Sequence, residues 1–364
     1  MFGAASNPGA KAAGRISLEV VQSIDSILSI GEENKSGIQA PTKSTSNVLT
    51  KMHQDMQRPS LCKCKSSVAA VVELKDFVIK AQIGQGTFGK VFLAELPNQS
   101  KKYAIKVIRK DKLIQHDQIG NTALEKNILV DADHPFLCGM EYLFQSEARL
   151  YFVLPFVGGG ELYRIVKQKK ILAENVVKFY ATQIIVALGK LHERGIVHRD
   201  IKLENVMVDT NGYIKLIDFG LAKYLDHGES AMTFCGTAEY FAPEVVTRAG
   251  HDRMVDWWAV GVLIFEMLFG TSPFFNPNRQ VLMSKIKSAR VVFPSRTHFN
   301  IEYSDTVVDL LLKLLTKDKG QRLGATNDAA EILAHEWFVD IDIPALESLE
   351  VTAPFLPSEL FPES

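Results

Sequence analysis

The chain has 364 residues, 46% of them hydrophobic, and a formal net charge of −1. This length suffices for one large domain or two lobes with a sizeable core. The near-neutral charge argues against general attraction to nucleic acid or membranes. Cysteines are few and no secretory signal is visible at the N-terminus. We therefore expect a reducing, cytoplasmic setting, with the nucleus as an alternative.

Residues 1–72 differ in composition from the rest of the chain. They are rich in Ser, Ala, Lys and Gly and poor in aromatic residues, which predicts a mostly disordered extension. Within it, the apolar residues from Val20 to Leu28 recur at helical spacing. This pattern is compatible with a short transient helix and also with a helix that docks on a partner or on the rest of the chain.

From Phe77 the pattern predicts a small β-rich lobe, residues 77–155, followed by a larger helical lobe, residues 156–338. The first lobe also carries one helix, in "TALEKNILVDA". The clearest helix of the second is "AENVVKFYATQIIVALGKLHERG". The fold class is therefore α+β with two lobes, and the seam near Pro155 to Gly160 predicts a cleft.

The longest apolar run is "VDWWAVGVLIFEMLFG". It is interrupted by Asp256 and Glu266, and a membrane span needs about 20 apolar residues. We interpret the run as a helix buried on all sides and ended by Gly270.

Three glycines, Gly84, Gly86 and Gly89, lie in "GQGTFGKV" between two predicted strands. Glycines allow a backbone to approach phosphate oxygens and to offer its N–H groups to them. The motif alone is weak evidence. The strand that follows the third glycine disfavours a dinucleotide-binding fold, in which a helix would follow.

Charged residues are concentrated in three further motifs. Lys106, in "AIK", is flanked by apolar residues, and Glu125 on the next helix is its candidate partner; the alternatives are a surface lysine and a solvated glutamate. "HRDIKLEN" places Asp200, Lys202 and Asn205 within six positions. Such density is costly to bury unless the groups act on one another or on a ligand.

Asp218 follows an apolar run and precedes glycine in "IDFG". A carboxylate there suits Mg²⁺, which prefers one or two carboxylates together with substrate phosphates. An ordinary Asp-containing turn is the alternative.

From about Phe77 to Phe338 these motifs, together with "APE", follow the order and spacing of the eukaryotic protein kinases, which the chain closely resembles. Within that superfamily, "KLEN", "TFCGTAEYFAPEVV" and "VDWWAVGVLIFEML" resemble the AGC group, nearest to protein kinase B. The resemblance implies a Ser/Thr protein kinase that uses ATP and Mg²⁺.

The resemblance also implies roles for individual residues. Asp200 would accept or orient the proton of the substrate hydroxyl, Lys202 would steady the γ-phosphate, and Thr237 would bridge the two. Asn205 and Asp218 would bind Mg²⁺. Gly84, Gly86 and Gly89 would cover the phosphates of ATP, and Lys106, paired with Glu125, would hold its α- and β-phosphates. Backbone groups of Pro155 and Val157 would bind adenine, and Glu161 would contact the ribose. The apolar slot for the base would be lined by Ile83, Val91, Ala104, Leu154, Met207 and Ile217.

Pro155 stands where the AGC kinases usually have Glu. Proline keeps its carbonyl but lacks an N–H group. ATP binding survives if this position only accepts a hydrogen bond from adenine, and we expect altered hinge stiffness and inhibitor preference.

Regulation and substrate choice are implied in the same way. Thr233 matches the activation-loop phosphosite, with Arg199 as the partner of its phosphate and a separate kinase as activator; Ser230 is a weaker candidate. Glu161, Glu204 and Glu266 match positions that recognise basic residues before the target Ser or Thr, although three unrelated surface glutamates are the alternative. Glu244 and Arg322 resemble a buried ion pair that anchors the loop.

Residues 339–364 resemble the start of an AGC tail without its distal hydrophobic motif. We expect a monomer that acts on proteins, binds no nucleic acid and has no transmembrane segment. A pseudokinase, which would use the same fold as a scaffold, is the alternative, and a nucleotide hydrolase is a more distant one. The joint presence of Lys106, Glu125, Asp200, Asn205 and Asp218 favours the active enzyme.

Overall fold

The computed structural model describes residues 72–97, 99–225, 228–299 and 301–359. The N-terminal extension up to residue 71, with its Val20–Leu28 segment, lies outside the described residues, as does the end of the chain from residue 360.

The described residues divide into two compact units. The smaller unit ends at residue 117 and resumes for residues 141–156, whereas residues 118–140 belong with the larger unit. The helix predicted in "TALEKNILVDA" is therefore grouped with the larger unit, although the sequence suggested a place for it in the β-rich lobe.

The smaller unit is built on an antiparallel sheet of five strands in the order β1-β2-β3-β5-β4. The strands are β1 (Val78–Gln85), β2 (Gly89–Glu95), β3 (Lys102–Arg109), β4 (Tyr142–Gln145) and β5 (Arg149–Pro155). A short helix, α1 (Lys110–Gln115), follows β3 directly.

The two faces of this sheet are used differently. Along β3, Tyr103, Ile105 and Val107 are buried, whereas the alternate residues Ala104 and Lys106 are only partly buried. Successive side chains of a strand point to opposite faces, so one face packs into a core and the other does not. The core on the packed face consists of Leu74, Phe77, Phe92, Ala94, Leu96, Tyr103, Ile105, Val107, Tyr151 and Val153.

The larger unit is mainly helical. Its helices are α2 (Ile119–Asp131), α3 (Leu162–Lys169), α4 (Glu174–His192), α5 (Pro243–Thr247), α6 (Met254–Phe269), α7 (Arg279–Ser288), α8 (Arg296–Phe299), α9 (Asp305–Leu314), α10 (Asp328–Leu333) and α11 (Ile343–Glu347). Four short strands form two antiparallel pairs: β6 (Ile196–Val197) with β9 (Lys223–Tyr224), and β7 (Val206–Val208) with β8 (Ile214–Leu216).

Helix α6 lies at the centre of the larger unit and packs against α4 and α9. Every residue of α6 except Glu266 is buried, including Asp256, as its mostly apolar sequence predicts. The helix ends at Gly270, whose φ of 72° is left-handed and whose added Cβ would lie 2.5 Å from the carbonyl oxygen of Lys170. Glycine is thus required there by conformation and by space.

These features confirm the expected α+β class. None of the helices in the described part of the chain is both long and apolar enough to cross a membrane.

Candidate active site

The loop from His198 to Asn205 connects β6 to β7 and brings three of the predicted site residues together. Lys202 Nζ donates to Asp200 Oδ2 at 2.6 Å. Asn205 Nδ2 donates to the same oxygen at 3.0 Å and to the Asp200 carbonyl at 2.7 Å. Because Asp200 is buried, these two side chains fix the direction of its carboxylate.

Thr237 joins this cluster from a distant part of the chain. Its Oγ1 donates to Asp200 Oδ1 at 3.3 Å and accepts from Lys202 Nζ at 3.1 Å. The hydroxyl therefore bridges the carboxylate and the ammonium, and it ties the segment around residue 237 to the loop. We call Asp200, Lys202, Asn205 and Thr237 the Asp200 cluster.

A fully buried carboxylate, Asp256 of α6, holds the backbone of the loop. It accepts from the amides of His198 and Arg199, both at 2.8 Å. Arg199 has a left-handed φ of 67°, a conformation that a non-glycine residue keeps only where its surroundings impose it. The two bonds to Asp256, with that of Arg199 Nε to the Leu221 carbonyl at 2.7 Å, supply this constraint.

His192 of α4 forms the layer beneath Asp256. Its Nε2 lies 2.9 Å from Asp256 Oδ2 and its Nδ1 lies 3.0 Å from Asp328 Oδ1. Burial alone would lower the pKa of His192, but the hydrogen bonds with the two carboxylates outweigh it and raise the pKa to about 9. Since a carboxylate only accepts, both ring nitrogens must carry protons, and His192 is an imidazolium.

Asp218 follows β8, and the amide of the preceding Ile217 donates to the Asn205 carbonyl at 3.0 Å. This bond brings the two predicted metal ligands to neighbouring positions. Asp218 is exposed and has a left-handed φ of 60°. A Cβ added at Gly220 would lie 3.3 Å from Asp218 Oδ1 and 3.9 Å from Glu125 Oε2.

Glu125 is 5% exposed, so the alternative of a solvated glutamate is wrong. Its position beside Gly220 places it near Asp218, within the larger unit. A nearly buried carboxylate needs compensating partners, which is compatible with a role in holding a cation.

The smaller unit collects another set of predicted residues on the less buried face of its sheet. Gly84 pairs with Val91, and Val91 pairs with Lys106. Two residues along β3, Ala104 pairs with Leu154 of β5. Directly opposed residues share a face, so an apolar strip and one ammonium lie side by side. Of the other predicted residues, Ile83 is 45% exposed and Pro155 ends β5.

The glycine-containing turn before β2 has a structural requirement of its own. A Cβ at Gly89 would lie 1.8 Å from the Val107 carbonyl oxygen, so no other residue fits there. The Gly86 amide donates to the Gly89 carbonyl at 2.9 Å and closes the turn. By contrast, a Cβ at Gly86 would meet nothing within 4 Å, so the turn itself does not explain that glycine.

The three predicted acidic residues are placed differently. Glu266 accepts a hydrogen bond from Tyr240, whose hydroxyl also accepts from the Leu203 amide at 3.4 Å. Burial, with repulsion from Glu204, raises the pKa of Glu266. Glu161 precedes α3, and its backbone forms an isolated antiparallel β-bridge with Met207. Glu204 and Glu266 thus interact electrostatically, whereas Glu161 is positioned by its backbone pairing with Met207.

We call residues 229–241 the activation segment. Ala231 exchanges two backbone hydrogen bonds with His251, at 2.8 and 3.0 Å, and Thr233 beyond it is exposed. Cys235 is half-buried, and burial raises the pKa of its thiol, so it is not an activated nucleophile.

The ion pair expected at the end of this segment is present. Arg322 Nη1 lies 2.7 Å from Glu244 Oε1, and Nη2 lies 2.9 Å from Oε2. Arg322 is 1% exposed and also donates to the carbonyls of Met254 and Thr316. The pair therefore anchors the start of α5 to the core of the larger unit.

Sequence reasoning did not identify the supporting residues Asp256, His192, Asp328 and Tyr240. Asp256 carried one signal, since an ionisable residue inside a wholly apolar helix needs a buried partner. The other three look like ordinary polar residues in the sequence, because their partners are distant along the chain.

Comparison with known proteins shows the family to which the chain belongs. The protein kinase domain family matches residues 77–338. The chain is 42% identical over 296 residues to the RAC serine/threonine-protein kinase of Drosophila melanogaster, covering 81% of this chain and 48% of that protein. It is 40% identical over 294 residues to the human RAC-beta serine/threonine-protein kinase, covering 80% and 60%.

A third relative, the serine/threonine-protein kinase akt-2 of Caenorhabditis elegans, is 42% identical over 289 residues, covering 79% of this chain and 54% of the relative. The chain thus spans about half to three fifths of the length of these curated relatives. The match of most of the chain to one domain family, with the motifs in register, confirms the expected resemblance: the chain belongs to the protein kinase family and is similar to its RAC members.

Proposed function

We propose that this chain is a serine/threonine protein kinase that transfers the γ-phosphoryl group of ATP to Ser or Thr hydroxyls of proteins. The observation that carries the proposal is the Asp200 cluster. It presents a buried carboxylate whose two oxygens are held by an ammonium, an amide and a hydroxyl. Phosphoryl transfer needs mainly positioning and charge stabilisation, and this arrangement supplies both.

In the larger unit, Asp200 orients the substrate hydroxyl and accepts its proton. Lys202, which donates to Asp200, carries the positive charge that steadies the γ-phosphoryl group. Thr237 keeps these two groups at their separation.

Asn205 and Asp218 provide one amide oxygen and one carboxylate, a donor set that fits Mg²⁺ bound together with phosphate oxygens. Asn205 uses its Nδ2 for Asp200, which leaves Oδ1 as the ligand atom. When bound, Mg²⁺ would neutralise charge that develops on the phosphates.

In the smaller unit, the partly buried face with Val91, Ala104 and Leu154 suits a flat apolar base, and Lys106 on the same face suits phosphate. The turn of Gly84, Gly86 and Gly89 would offer backbone N–H groups to the phosphates. We propose Glu125 as the carboxylate that orients Lys106. Ile83 and Pro155 of this unit are further proposed nucleotide contacts, and Val157, Glu161 and Met207, which belong to the larger unit, are proposed as well.

We propose that the enzyme prefers basic residues before the target Ser or Thr. Glu204 and Glu266 lie close enough to repel one another, and a guanidinium placed beside them would relieve that repulsion. The Tyr240 hydroxyl occupies one oxygen of Glu266, which leaves Glu204 as the more available carboxylate. Glu161 would supply a separate contact.

Activation by a separate kinase at Thr233 completes the proposal. The hydroxyl is exposed, and one atom of Arg199, Nη1, is buried with no hydrogen-bond partner among the described residues. A phosphate on Thr233 would supply a strong acceptor for such a guanidinium.

The direct test is transfer of labelled phosphate from ATP to a peptide with Arg three residues before Ser. Replacing Asp200 by Asn should lower the rate about 10²- to 10⁴-fold, because the proton acceptor is lost. Asp309→Asn, an exposed carboxylate on α9, is the matched control and should keep the rate. Equal rates for wild type and Asp200→Asn, in protein phosphorylated at Thr233, would refute the proposal.

Two further variants test the proposed ATP contacts and the proposed preference for basic residues. Lys106→Met should weaken ATP binding, measured by a fluorescent nucleotide analogue, whereas Asp200→Asn should retain it. Glu204→Ala should reduce the preference for Arg over Ala in the peptide roughly tenfold or more, the usual cost of one charged contact. An unchanged preference would remove Glu204 from the substrate site.

A further inference from the structure

Asp328, the first residue of α10, is far from the Asp200 cluster along the chain but is connected to it through the interior of the larger unit. Its Oδ1 accepts from the ring Nε1 of Trp257 at 2.7 Å and lies 3.0 Å from His192 Nδ1. On the other side of the ring, Nε2 lies 2.9 Å from Asp256 Oδ2, which accepts from the His198 amide at 2.8 Å. We call Asp328, His192 and Asp256 the supporting network.

The supporting network is buried at its centre and reaches the surface at one end. The side chains of His192 and Asp256 are 0% and 1% exposed, whereas that of Asp328 is 30% exposed. Because both ring nitrogens of His192 face carboxylates, the imidazolium is held from two sides in one orientation. Two carboxylates and one imidazolium leave one negative charge, and Arg253 Nε lies 3.5 Å from Asp328 Oδ2.

Two backbone features bring Asp328 to His192. Asp328 has a left-handed φ of 50°, which a non-glycine residue keeps only where its surroundings impose it. Gly189 lies inside α4, where glycine is unfavourable, and a Cβ there would lie 2.7 Å from the Cβ of Ala329. This glycine therefore lets the start of α10 approach α4 at the position of His192, which is three residues further along the same face.

We propose that Asp328 is a positioning residue for phosphoryl transfer. It acts through the rest of the supporting network on the direction of the Asp200 carboxylate, an inference that rests on the proposed kinase function. Asp256 fixes two amides directly before Asp200, and His192 in turn fixes Asp256. Loss of the Asp328 carboxylate would free one side of the imidazole ring, and a shift of about 1 Å at a reacting group can slow a reaction about 10²-fold.

The first test is single-turnover transfer of labelled phosphate, at saturating ATP, to the peptide with Arg before Ser. Asp328→Ala should lower the rate at pH 7 about 10- to 100-fold, with the affinity for a fluorescent ATP analogue changed less than about twofold. Glu331→Ala is the matched control on α10. Glu331 accepts from the amides of Thr326 and Asn327, both at 2.9 Å, so it holds the start of the same helix but is not part of the supporting network. This control should keep the rate within about threefold.

The second test uses pH to separate positioning from a general loss of stability. Asp328→Asn keeps an oxygen that can accept both hydrogen bonds but removes the charge. The pKa of His192, about 9 in the wild type, should therefore fall by about one unit. The ratio of the Asp328→Asn rate to the wild-type rate should then fall about tenfold between pH 7 and pH 9. Above pH 9 it should level off, because the wild-type imidazolium has also lost its proton.

The other ionisable groups around the imidazolium keep their charge over this range. Burial opposes the charge of Asp256, but its hydrogen bonds with His192 and with backbone amides lower its pKa, so it remains a carboxylate. Burial lowers the pKa of His198, which remains neutral. Arg253 remains a cation. A change in the ratio between pH 7 and pH 9 therefore reports on His192.

Three results would overturn the inference in a wild type that transfers phosphate: an unchanged rate for Asp328→Ala, an equal loss in Glu331→Ala, or a ratio for Asp328→Asn that is independent of pH. If Asp328→Ala does not fold, the pH profile of Asp328→Asn decides. If the wild type transfers no phosphate, the proposed kinase function fails and this inference fails with it.

Discussion

The loop from His198 to Asn205 and the activation segment meet at one hydroxyl but are held in different ways. In the loop, Asp200 is bonded to side chains on both oxygens, and Asp256 holds the preceding backbone. The activation segment is attached at Ala231, through His251, and at Thr237. Between these points Met232 is 67% exposed and Phe234 is 41% exposed.

This contrast indicates that folding alone organises the loop, whereas the middle of the activation segment can still be reorganised after folding. The loop is organised by buried charges, whose loss would be costly. The middle of the activation segment has few such contacts, and segments of this kind open at low free-energy cost. An added phosphate could therefore reorganise the segment without disturbing the loop.

The largest expected effect is on the loop side of this comparison. Asp256→Asn removes the charge that faces His192 and leaves a buried imidazolium with one carboxylate. We expect a loss of about 3–5 kcal/mol in the free energy of unfolding. Denaturant unfolding followed by tryptophan fluorescence measures it. Asp305→Asn, whose carboxylate is 90% exposed and pairs with Arg296, should cost at most about 1 kcal/mol, and similar values for both variants would contradict the account.

The second prediction concerns pH. The folded-state pKa of His192 is about 9 against an ordinary value of 6.5. Because the folded value is the higher one, the stabilisation is complete below pH 6.5 and is lost as the pH rises through 9. Its size is about 3 kcal/mol from the shift alone.

The measurement is the difference in unfolding free energy between wild type and His192→Gln across pH 6 to pH 10. Taking the difference removes contributions from other groups, among them Lys317, whose lowered pKa acts in the opposite direction. A difference that stays constant over this range would mean that His192 is not an imidazolium.

Arg322→Lys should have an intermediate effect. Lysine keeps the charge but cannot make the two parallel bonds to Glu244 or reach the same carbonyls. We expect a loss of about 2 kcal/mol in unfolding free energy. Lys319→Arg, at the more exposed pair with Asp252, is the control and should change stability little. Amide hydrogen exchange should also become faster around α5. Unchanged protection there would mean that the ion pair does not anchor α5.

The smallest effect on stability is expected at Thr233, because its side chain is exposed. Thr233→Ala should change the unfolding free energy by less than about 0.5 kcal/mol. Phosphate transfer by protein treated with an activating kinase should nevertheless fall at least tenfold, since the phosphate would be absent. Ser230→Ala should retain transfer, and the reverse pattern would move the phosphosite to Ser230.

Periodicity and local motifs were sufficient to predict the strands around the glycines, the buried helix α6 and its stop at Gly270. Spacing within eight positions and the family resemblance both pointed to Asp200, Lys202 and Asn205 of the Asp200 cluster, whereas the resemblance alone pointed to Thr237. One alternative, that Glu125 is a solvated glutamate on a helix surface, is wrong. A glutamate on a helix is usually solvated, and only tertiary packing shows that this one is buried.

Apart from the Glu244–Arg322 pair, which the family resemblance implied, the long-range electrostatic partners could not be predicted. His192 and Asp328 are 136 positions apart, and no local sequence pattern around either residue indicates that they are in contact. Likewise, the bond from Tyr240 to Glu266 changes which glutamate is most available to a substrate. Such contacts depend on how helices pack, and a single sequence does not encode that in any short pattern.

The order of strands in the smaller unit has a consequence for biosynthesis. Strand β5 lies between β3 and β4, and the chain makes residues 118–140 for the other unit before it reaches either β4 or β5. During translation, the hydrogen-bonding edge of β3 therefore stays open until residue 155 has emerged. A nascent chain halted before that point would present an unpaired strand edge, the kind of surface on which chaperones act and aggregation begins.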